Sequence, residues 1–412
     1  MRPGQPVRCF ISCEPGRRIF DVSQAPVSTI MKPYNNDNHN FAIFQHSETR
    51  LFHVLESILK RINKLGSHLR SNYNLVGTGQ SRLLTDHSPE RYGAEGDAHC
   101  WKSMLEPQLK TLLEAAGYAS VSPLIGRISD LLDNFHALGP KPTSSLPKWP
   151  SFLSDDFSPI EYSISISAKS MIVRFAFEPV SAKSGTESDP VNSRATSRWL
   201  SRLFARYPCD LTWLARIRPE MILESAPGIP EACRNLTQQV FAFDMEGDDP
   251  RLKVYAMPDA KVRLESPDRR LSRRDEVVDA TLKASGFEMT WEPVHTYLIN
   301  LRETQPALAG YPEALGWDAC SPDQARMKVY VRFKEAKLAQ VLSHLDLGGA
   351  LDSEYTREVK LAATEMWETF GAKQLGFDDV ANPQDRTGGA LLAYELRPGR
   401  REPSAVKCES CS

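Results

Sequence analysis

The sequence predicts an α+β protein in which an antiparallel sheet closes on itself and carries its helices on the outside. Two observations lead to this prediction. Strand pairs alternate with helix pairs along the chain, and the pentad Arg251-Leu-Lys-Val-Tyr255 recurs 75 residues later as Arg326-Met-Lys-Val-Tyr330. Repetition of this kind indicates equivalent places in one architecture. A sheet of such hairpins must bury one face under the helices, which leaves the other face to line a lumen.

The pattern divides the chain into a variable leader and one large domain. Residues 1–90 are rich in Asn, Ser, Gly and Pro, and they contain one segment with helical spacing of apolar residues, 49–65. Regular patterns begin near Trp101. We therefore place the leader at 1–90 and the barrel at 91–412. With 41% hydrophobic and 25% charged residues, the chain has enough apolar mass for a large core.

Hydrophobic spacing and turn residues predict each element in order. Apolar residues three or four apart indicate helices, alternation indicates strands, and Gly117 and Gly139-Pro140 mark helix ends. The predicted helices are 101–116, 121–138, 194–214, 274–285, 338–345 and 353–370, and the predicted strands are 161–167, 171–177, 239–244, 252–257, 290–300 and 327–333.

Composition excludes several classes of protein. The formal net charge is −2, so any basic surface must be local, and a protein that coats nucleic acid is disfavoured. We expect a cytoplasmic protein without membrane contact, because we see no secretion signal and no apolar run of about 20 residues. The eight cysteines lack a disulfide spacing and are expected to be reduced. Cys408-x-x-Cys411 lacks the second pair that a zinc site needs.

The two pentads carry the strongest chemical signal. On a strand, alternate residues share a face, so each Arg, Lys and Tyr points one way while Leu252 and Val254, or Met327 and Val329, point the other. If the apolar face packs under helices, the cations face the lumen, where they repel one another unless a highly charged anion resides there. A diphosphate fits that need. The alternative is a solvated strand face with its cations in water.

Two further residues are candidates for the same lumen. Arg174 lies between apolar neighbours on a predicted strand, where it would add a cation. Glu161 begins the preceding strand, and a carboxylate at a barrel mouth can accept a proton from an aromatic N–H or O–H. As a single carboxylate, Glu161 also fits a surface or capping position.

The sequence offers no obvious magnesium ligands. The acidic pairs Asp155-Asp156, Asp248-Asp249 and Asp378-Asp379 each lack the second acidic partner of a DDxxD motif. A bound diphosphate would then be neutralised by basic side chains, and we expect no metal and no other cofactor.

Six blocks, in order and spacing, resemble the fungal dimethylallyl-tryptophan synthase (DMATS) family of aromatic prenyltransferases from Trp101 to Gly399. The blocks are Leu138-Gly-Pro-Lys-Pro, Ser151-Phe-Leu-Ser-Asp-Asp-Phe-Ser-Pro-Ile-Glu161-Tyr-Ser, Val173-Arg-Phe-Ala-Phe-Glu-Pro179, Leu252-Lys-Val-Tyr-Ala-Met-Pro258, Arg326-Met-Lys-Val-Tyr330 and Tyr394-Glu-Leu-Arg-Pro-Gly399.

The resemblance implies a fold and a reaction. The fold is the antiparallel ten-stranded prenyltransferase (ABBA) barrel, built from ααββ repeats with the site in its lumen. The reaction is transfer of a dimethylallyl group from dimethylallyl diphosphate to an indole-containing or related aromatic small molecule in secondary metabolism, such as alkaloid biosynthesis. The diphosphate is a co-substrate, no metal is needed, and the implied enzyme is a cytoplasmic monomer or homodimer.

The resemblance also implies roles for individual residues. Glu161 looks like the carboxylate that engages the indole N–H. The diphosphate ligands that the resemblance implies are Arg174, Lys253, Arg326 and Lys328. The tyrosine shield around the allylic cation is implied to be Tyr255, Tyr330 and Tyr394.

One departure leaves an alternative open. Where the family continues into a Lys-x-Tyr-x-Pro strand, this chain has Lys407 followed by Cys408 and Glu409, so we expect the barrel to be incomplete at its C-terminus. Missing strands would admit water, which quenches carbocations. The alternative is a non-catalytic or weakly active ligand-binding relative. An unrelated module that binds nucleotides or nucleic acid is the third hypothesis, and the net charge argues against it.

Overall fold

Hairpins and helix pairs alternate along the part of the chain that the structure, a computed structural model, describes. That part comprises residues 8–14, 17–19, 94–141, 148–154, 157–166, 171–207, 209–247, 249–322, 324, 326–333, 337–370 and 390–410. The helix predicted at 49–65 lies outside it. The boundary between leader and domain stays a prediction, although residues 8–14 and 17–19 of the leader contribute two strands.

The elements have the following bounds. The helices are α1 (Ala94–Ala116), α2 (Val121–Leu131), α3 (Ser193–Phe204), α4 (Thr212–Met221), α5 (Asp259–Val262), α6 (Arg270–Ala284), α7 (Glu288–Thr304), α8 (Leu338–Leu345) and α9 (Glu354–Phe370). The strands are β1 (Arg8–Glu14), β2 (Arg17–Ile19), β3 (Ile160–Ile166), β4 (Met171–Phe177), β5 (Gln239–Glu246), β6 (Asp249–Ala256), β7 (Tyr311–Asp318), β8 (Met327–Phe333), β9 (Ala390–Leu396) and β10 (Ala405–Ser410).

One hydrogen-bonded sheet joins the strands in the order β10-β9-β8-β7-β6-β5-β4-β3-β1-β2. From β3 to β10 each strand pairs antiparallel with the next one in the chain, and these eight strands form a half-barrel. β1 pairs with β3 in parallel orientation, which differs from the predicted antiparallel sheet. The α+β class with an antiparallel sheet and helices is confirmed, whereas the closed ten-stranded barrel stays a prediction.

The helices cover one face of this half-barrel. Strand residues at alternate positions, among them Phe175, Phe243 and Val254, are fully buried in a single core with Trp101 of α1 and Trp291 of α7. The indole of Trp199 on α3 donates to the carbonyl of Leu131 at 3.0 Å and so ties α3 to the end of α2. The apolar side of each pentad therefore packs under helices, as the sequence predicts.

The structure corrects three of the predicted elements. Residues 290–300, predicted as a strand, lie in α7, where Trp291, Val294 and Leu298 are buried at helical spacing. Their β-branched and aromatic neighbours favoured a strand, but packing decided the outcome. The helix predicted at 194–214 is two helices, α3 and α4. The helix predicted at 121–138 ends at Leu131 and is followed by left-handed residues and a short 3₁₀ turn.

The strand β7 was not predicted, and it matters for the site. It contains Pro312 and Gly316, two residue types that are unfavourable inside strands. Pro312 lies at a register irregularity between β7 and β8. Gly316 lies where two tyrosine rings approach the backbone, as described below.

A buried carboxylate fixes the loop before β3 to the end of β4. Glu178 accepts hydrogen bonds from Trp149 (2.9 Å) and Asn192 (3.1 Å) on one oxygen, and from Ser151 (2.6 Å) and Thr237 (2.9 Å) on the other. Burial raises the pKa of Glu178 to about 7, although all four donors lower it. Four separate stretches of chain therefore meet at one side chain.

Replacing Glu178 tests this junction. We expect Glu178→Ala to lower the free energy of unfolding by about 3–5 kcal/mol, because four buried donors lose their acceptor. Glu178→Gln keeps the shape and a carbonyl acceptor, and the two hydroxyls can reorient, so its cost should stay below about 1.5 kcal/mol. Urea denaturation followed by circular dichroism measures both. An equal loss in the two variants would contradict the prediction.

Candidate active site

The polar side of the two pentads lies on the face of the half-barrel opposite the helices. Tyr255 and Tyr330 belong to a small cluster separate from the helix-packed core, together with Ala176, Ala242 and Leu153. The predicted division of each pentad between two faces is thus confirmed. Arg251 does not line the pocket described below; its side chain is 72% exposed and pairs with Glu246.

The two pentads meet at one small pocket. Strand β7 separates β6 from β8, and its end contributes to the pocket wall between the two basic strands. The structure therefore brings five of the predicted site residues together, and it adds three residues of β7. The lining residues are Lys253, Tyr255, Gly316, Trp317, Asp318, Arg326, Lys328 and Tyr330.

Six charged side chains of alternating sign cross this face. Five of them belong to β4, β5, β6, β7 and β9, and the sixth belongs to the residue that directly precedes β8. We call this set the charge row. Its members, in order from β4 to β9, are Arg174, Asp244, Lys253, Asp318, Arg326 and Glu395.

In the half of the charge row on β4 to β6, Asp244 and Lys253 are buried and Arg174 is partly buried. Arg174 donates to both oxygens of Asp244, from Nε at 2.5 Å and from Nη2 at 3.0 Å. The other neighbour of Asp244 is Lys253, whose Nζ lies 3.5 Å from Oδ2. The β5–β6 hairpin sets this arrangement, because only two residues, beginning with Gly247 at φ +68°, separate the paired Glu246 and Asp249.

The other half of the charge row continues through β7 to β9. Lys253 donates to Oδ1 of Asp318. Arg326 donates to Oδ2 of the same carboxylate from Nε at 3.2 Å, and to Oε2 of Glu395 from Nη1 at 2.9 Å. Arg397 also reaches Glu395, with Nη2 3.3 Å from Oε1. Each carboxylate thus lies between two cations.

The pKa values of the charge row reflect this alternation. Burial alone would raise the pKa of Asp244, but Arg174 and Lys253 outweigh it and lower that pKa to about 2. For Asp318, burial is likewise outweighed by Lys253 and Arg326, and its pKa falls well below the usual range. Burial would lower the pKa of Lys253, but Asp244 and Asp318 raise it. All three groups are therefore ionised at neutral pH.

Sequence reasoning missed the three carboxylates of the charge row. It predicted a lumen whose cations repel one another, whereas Asp244, Asp318 and Glu395 compensate them within the protein. A signal for one of them existed, since Asp244 is a charged residue at the end of the predicted strand 239–244. Asp318 lies on β7, which the sequence pattern does not predict, and Glu395 lies in a family block whose resemblance implies no role for it.

The two pentad tyrosines lie close together in the pocket. The ring centroids of Tyr255 and Tyr330 are 5.8 Å apart at an interplanar angle of 56°. Between their strands lies Gly316, where an added Cβ atom would lie 2.9 Å from each of the two rings. A side chain at this position would force the rings to move, so the glycine permits the tyrosine pair.

Glu161 lies on the same face as the pocket residues but does not line the pocket. It pairs with Ala176 on β4, which pairs with Ala242 on β5, and that alanine is opposite Lys253 on β6. Glu161 and Lys253 therefore share one row across the sheet, with two small residues between them. The Glu161 side chain is partly exposed.

The placement of Tyr394 with the other tyrosines is wrong. In the β8–β9 register, Tyr330 is paired with Ala393, so Tyr394 points to the opposite face. There Tyr394 is fully buried in the helix-packed core, and its hydroxyl lies 2.9 Å from Nδ1 of His344 on α8. The family block that contains Tyr394 does not indicate which face of the strand its side chain lies on.

Other expectations concern groups that the structure describes only in part. Within the described ranges, no cluster of three or more His, Cys, Asp or Glu side chains could hold a metal ion. The side chains of Cys408 and Cys411 lie outside the described residues. Among the helices given above, none is long and apolar enough to cross a bilayer.

A half-barrel with helices on one face and a basic, tyrosine-lined pocket on the other has the features expected of an aromatic prenyltransferase. The family model for tryptophan dimethylallyltransferase matches residues 97–408, and the chain belongs to this family. The chain is 29% identical over 336 residues to 4-O-dimethylallyl-L-tyrosine synthase of Claviceps purpurea, which covers 77% of this chain and 73% of that protein. The predicted enzyme class, a prenyltransferase, is thereby confirmed.

Two further comparisons agree in family and fold. A 7-dimethylallyltryptophan synthase of Aspergillus fumigatus is 28% identical over 302 residues, or 69% of this chain and 61% of that protein. The crystal structure of NotF in complex with brevianamide F and DMSPP superposes with a TM-score of 0.58 at 22% identity, covering 79% of this chain and 78% of that one. At this identity the structural likeness concerns the fold alone.

The buried position of His344 predicts a pH-dependent stability. Burial lowers the pKa of His344 to about 4, although the Leu308 carbonyl raises it, so the folded protein holds a neutral imidazole. The unfolded chain takes up a proton near pH 6.5. The contribution of neutral His344 to the free energy of unfolding is therefore fully present above pH 6.5, and about 3 kcal/mol of it is lost as the pH falls to 4.

Between pH 6.5 and pH 4, we expect the free energy of unfolding to fall by about 3 kcal/mol less in His344→Phe than in the wild type. Urea denaturation at a series of pH values measures the difference between the two proteins, so other titrating groups cancel. The control is His99→Gln, which changes an exposed residue of α1. Parallel pH profiles for His344→Phe and the wild type would contradict the prediction.

Proposed function

We propose that this protein transfers a dimethylallyl group from dimethylallyl diphosphate to an indole-containing or related aromatic small molecule, without a metal ion. The observation that supports this proposal is the pocket at which both pentads meet. It presents Lys253, Arg326 and Lys328 beside Tyr255 and Tyr330. Such a pocket combines groups for a phosphorylated leaving group with groups for a carbocation.

The cations are proposed to bind the diphosphate. When the bond between the allylic carbon and oxygen breaks, negative charge develops on the leaving diphosphate. Lys253, Arg326 and Lys328 lie where fixed positive charge would stabilise it, and Arg174 extends the cationic groups to β4. Arginine offers a planar fork for phosphate oxygens, and lysine offers a compact charge.

Tyr255 and Tyr330 are proposed to shelter the allylic cation. A tyrosine face attracts a cation with about 1–2 kcal/mol per ring when water is excluded. Tyr394 has no part in this proposal, because it lies on the other face of the sheet. A closed barrel of ten antiparallel strands, of which β3 to β10 would be eight, would exclude water from the pocket.

Glu161 is proposed to act on the acceptor. It lies on the pocket face in the same row as Lys253, separated from it by two alanines. An aromatic N–H or O–H that donates to this carboxylate becomes more electron-rich as the proton moves, and its ring then attacks the cation more readily. The relatives are named for tyrosine and tryptophan, so both amino acids are the first acceptors to test.

A second candidate function is that of a non-catalytic or weakly active relative that binds the same ligands. The observation that favours it is the charge row, in which protein carboxylates already compensate Lys253 and Arg326. Binding of inorganic pyrophosphate without turnover of any acceptor would distinguish this candidate from the enzyme.

The first test is a transfer assay. The protein is incubated with dimethylallyl diphosphate and a panel of tryptophan, tyrosine, a tryptophan-containing cyclic dipeptide and an indole diterpene, with EDTA present. We expect at least one prenylated product by mass spectrometry, and the same product yield without EDTA. Absence of product with every acceptor would contradict the proposed reaction.

Two substitutions separate the proposed roles. We expect Lys328→Gln to lower kcat/KM for dimethylallyl diphosphate by about 10²-fold, because it removes a charge from the leaving-group site. Glu161→Gln should lower kcat by about 10²-fold or more and leave the affinity for inorganic pyrophosphate unchanged.

The matched control is Lys102→Gln on the exposed surface of α1, which should leave all constants unchanged. Steady-state kinetics and isothermal titration calorimetry give the values. A loss of pyrophosphate affinity in Glu161→Gln would contradict the assignment of Glu161 to the acceptor.

A further inference from the structure

The central carboxylate of the charge row lies between the two pentads. Strand β7 runs between β6 and β8, and Asp318 at its end receives one cation on each oxygen. Lys253 of β6 donates to Oδ1, and Arg326, next to β8, donates to Oδ2 from 3.2 Å. A phosphate group that bridged these two cations would need the place that this carboxylate now holds.

We propose that Asp318 is a positioning residue of the donor site, whose carboxylate holds Lys253 and Arg326 in the free protein and is exchanged for the diphosphate when the donor binds. The proposal rests on the proposed function, because it takes the pocket to be the diphosphate site. It assigns to Asp318 a place that neither the sequence motifs nor the family likeness indicates.

Both cations can give up Asp318 and remain fixed. Lys253 keeps Asp244, whose Oδ2 lies 3.5 Å from its Nζ, and Arg326 keeps Glu395 at 2.9 Å. Asp318 is the carboxylate that the two cations share. Its release would therefore free one hydrogen-bonding direction on each cation and would leave neither cation without a partner.

Exposure distinguishes Asp318 from the other two carboxylates. Its side chain is 24% exposed and lines the pocket, whereas those of Asp244 and Glu395 are 6% and 4% exposed. A partly exposed carboxylate at the end of a strand can turn toward water at a lower cost than a buried one. The neighbouring cations keep Asp318 ionised, so the exchange must proceed by movement and not by protonation.

The exchange has a measurable cost for donor binding. The diphosphate must displace the Asp318 carboxylate from the two cations, and the displaced carboxylate stays close enough to repel the diphosphate. Asp318 thus makes the free pocket ordered but lowers its affinity for diphosphate. The same repulsion favours departure of the pyrophosphate after transfer.

The test measures binding of inorganic pyrophosphate to the full chain by isothermal titration calorimetry. We expect Asp318→Asn to bind about tenfold more tightly than the wild type, because the competing charge is gone while an amide oxygen can still accept from Lys253 or Arg326. Asp318→Glu keeps the charge and should show no gain. A merely structural role would give weaker binding in Asp318→Asn, not tighter binding.

The matched control is Asp275→Asn. Asp275 is a buried carboxylate with a two-point contact to Arg302 between α6 and α7, outside the pocket, and its substitution should leave pyrophosphate affinity unchanged. If Asp318→Asn does not fold, as judged by circular dichroism, Asp318→Ser is measured with the same expectation. Failure of both variants to fold would mark Asp318 as a structural residue and would overturn the proposal.

The outcomes separate this inference from the proposed function. Equal or weaker pyrophosphate binding by Asp318→Asn overturns the inference, even if the wild type turns over its substrates. Tighter binding by that variant, in a protein that prenylates no acceptor, supports the inference and refutes the reaction. Absence of pyrophosphate binding in both proteins overturns the inference together with the donor site.

Discussion

Strand register is the constraint on which this structure depends. Along β4 to β9 alternate side chains pack under the helices, and the side chains between them lie on the pocket face. A shift of one residue in any hairpin would send that strand's charged residues into the apolar core and its aromatic residues into the pocket. The short β5–β6 turn and the large side chains under the helices therefore do more than stabilise the fold, because they also determine which side chains lie on the pocket face.

The same register explains how so many charges share one surface. A buried charge without a partner is strongly unfavourable, and its effect on stability exceeds that of most apolar contacts. Neighbouring strands are spaced so that opposite charges on adjacent strands contact each other directly. The alternation from Arg174 to Glu395 thus uses sheet geometry to neutralise each charge with the next one. Lys328 adds a further positive charge to the pocket beside the row.

Much of this arrangement followed from the sequence, because both strand periodicity and the repeated pentad are local signals. They predicted the two faces of each pentad strand and one shared cavity for the polar side chains of both pentads. What they missed depends on contacts between distant segments. The segment 290–300 has strand-forming residues but is helical because its apolar positions fit against the core. Strand β7 escaped prediction because its proline and glycine have uses that only neighbouring strands reveal. Tyr394 was assigned from a family block without its register.

The charge row also bears on how this protein can change over evolutionary time. Asp244, Lys253, Asp318 and Arg326 each contact two neighbours of opposite sign, so losing one member removes an ion-pair partner from two others. The effects of substitutions along the row will not add, because each depends on the state of its neighbours. Drift at these positions should proceed through paired replacements, whereas the alanines on the same face can vary one at a time. Related chains with a neutral residue at one position of the row are then expected to carry a compensating replacement on the adjacent strand.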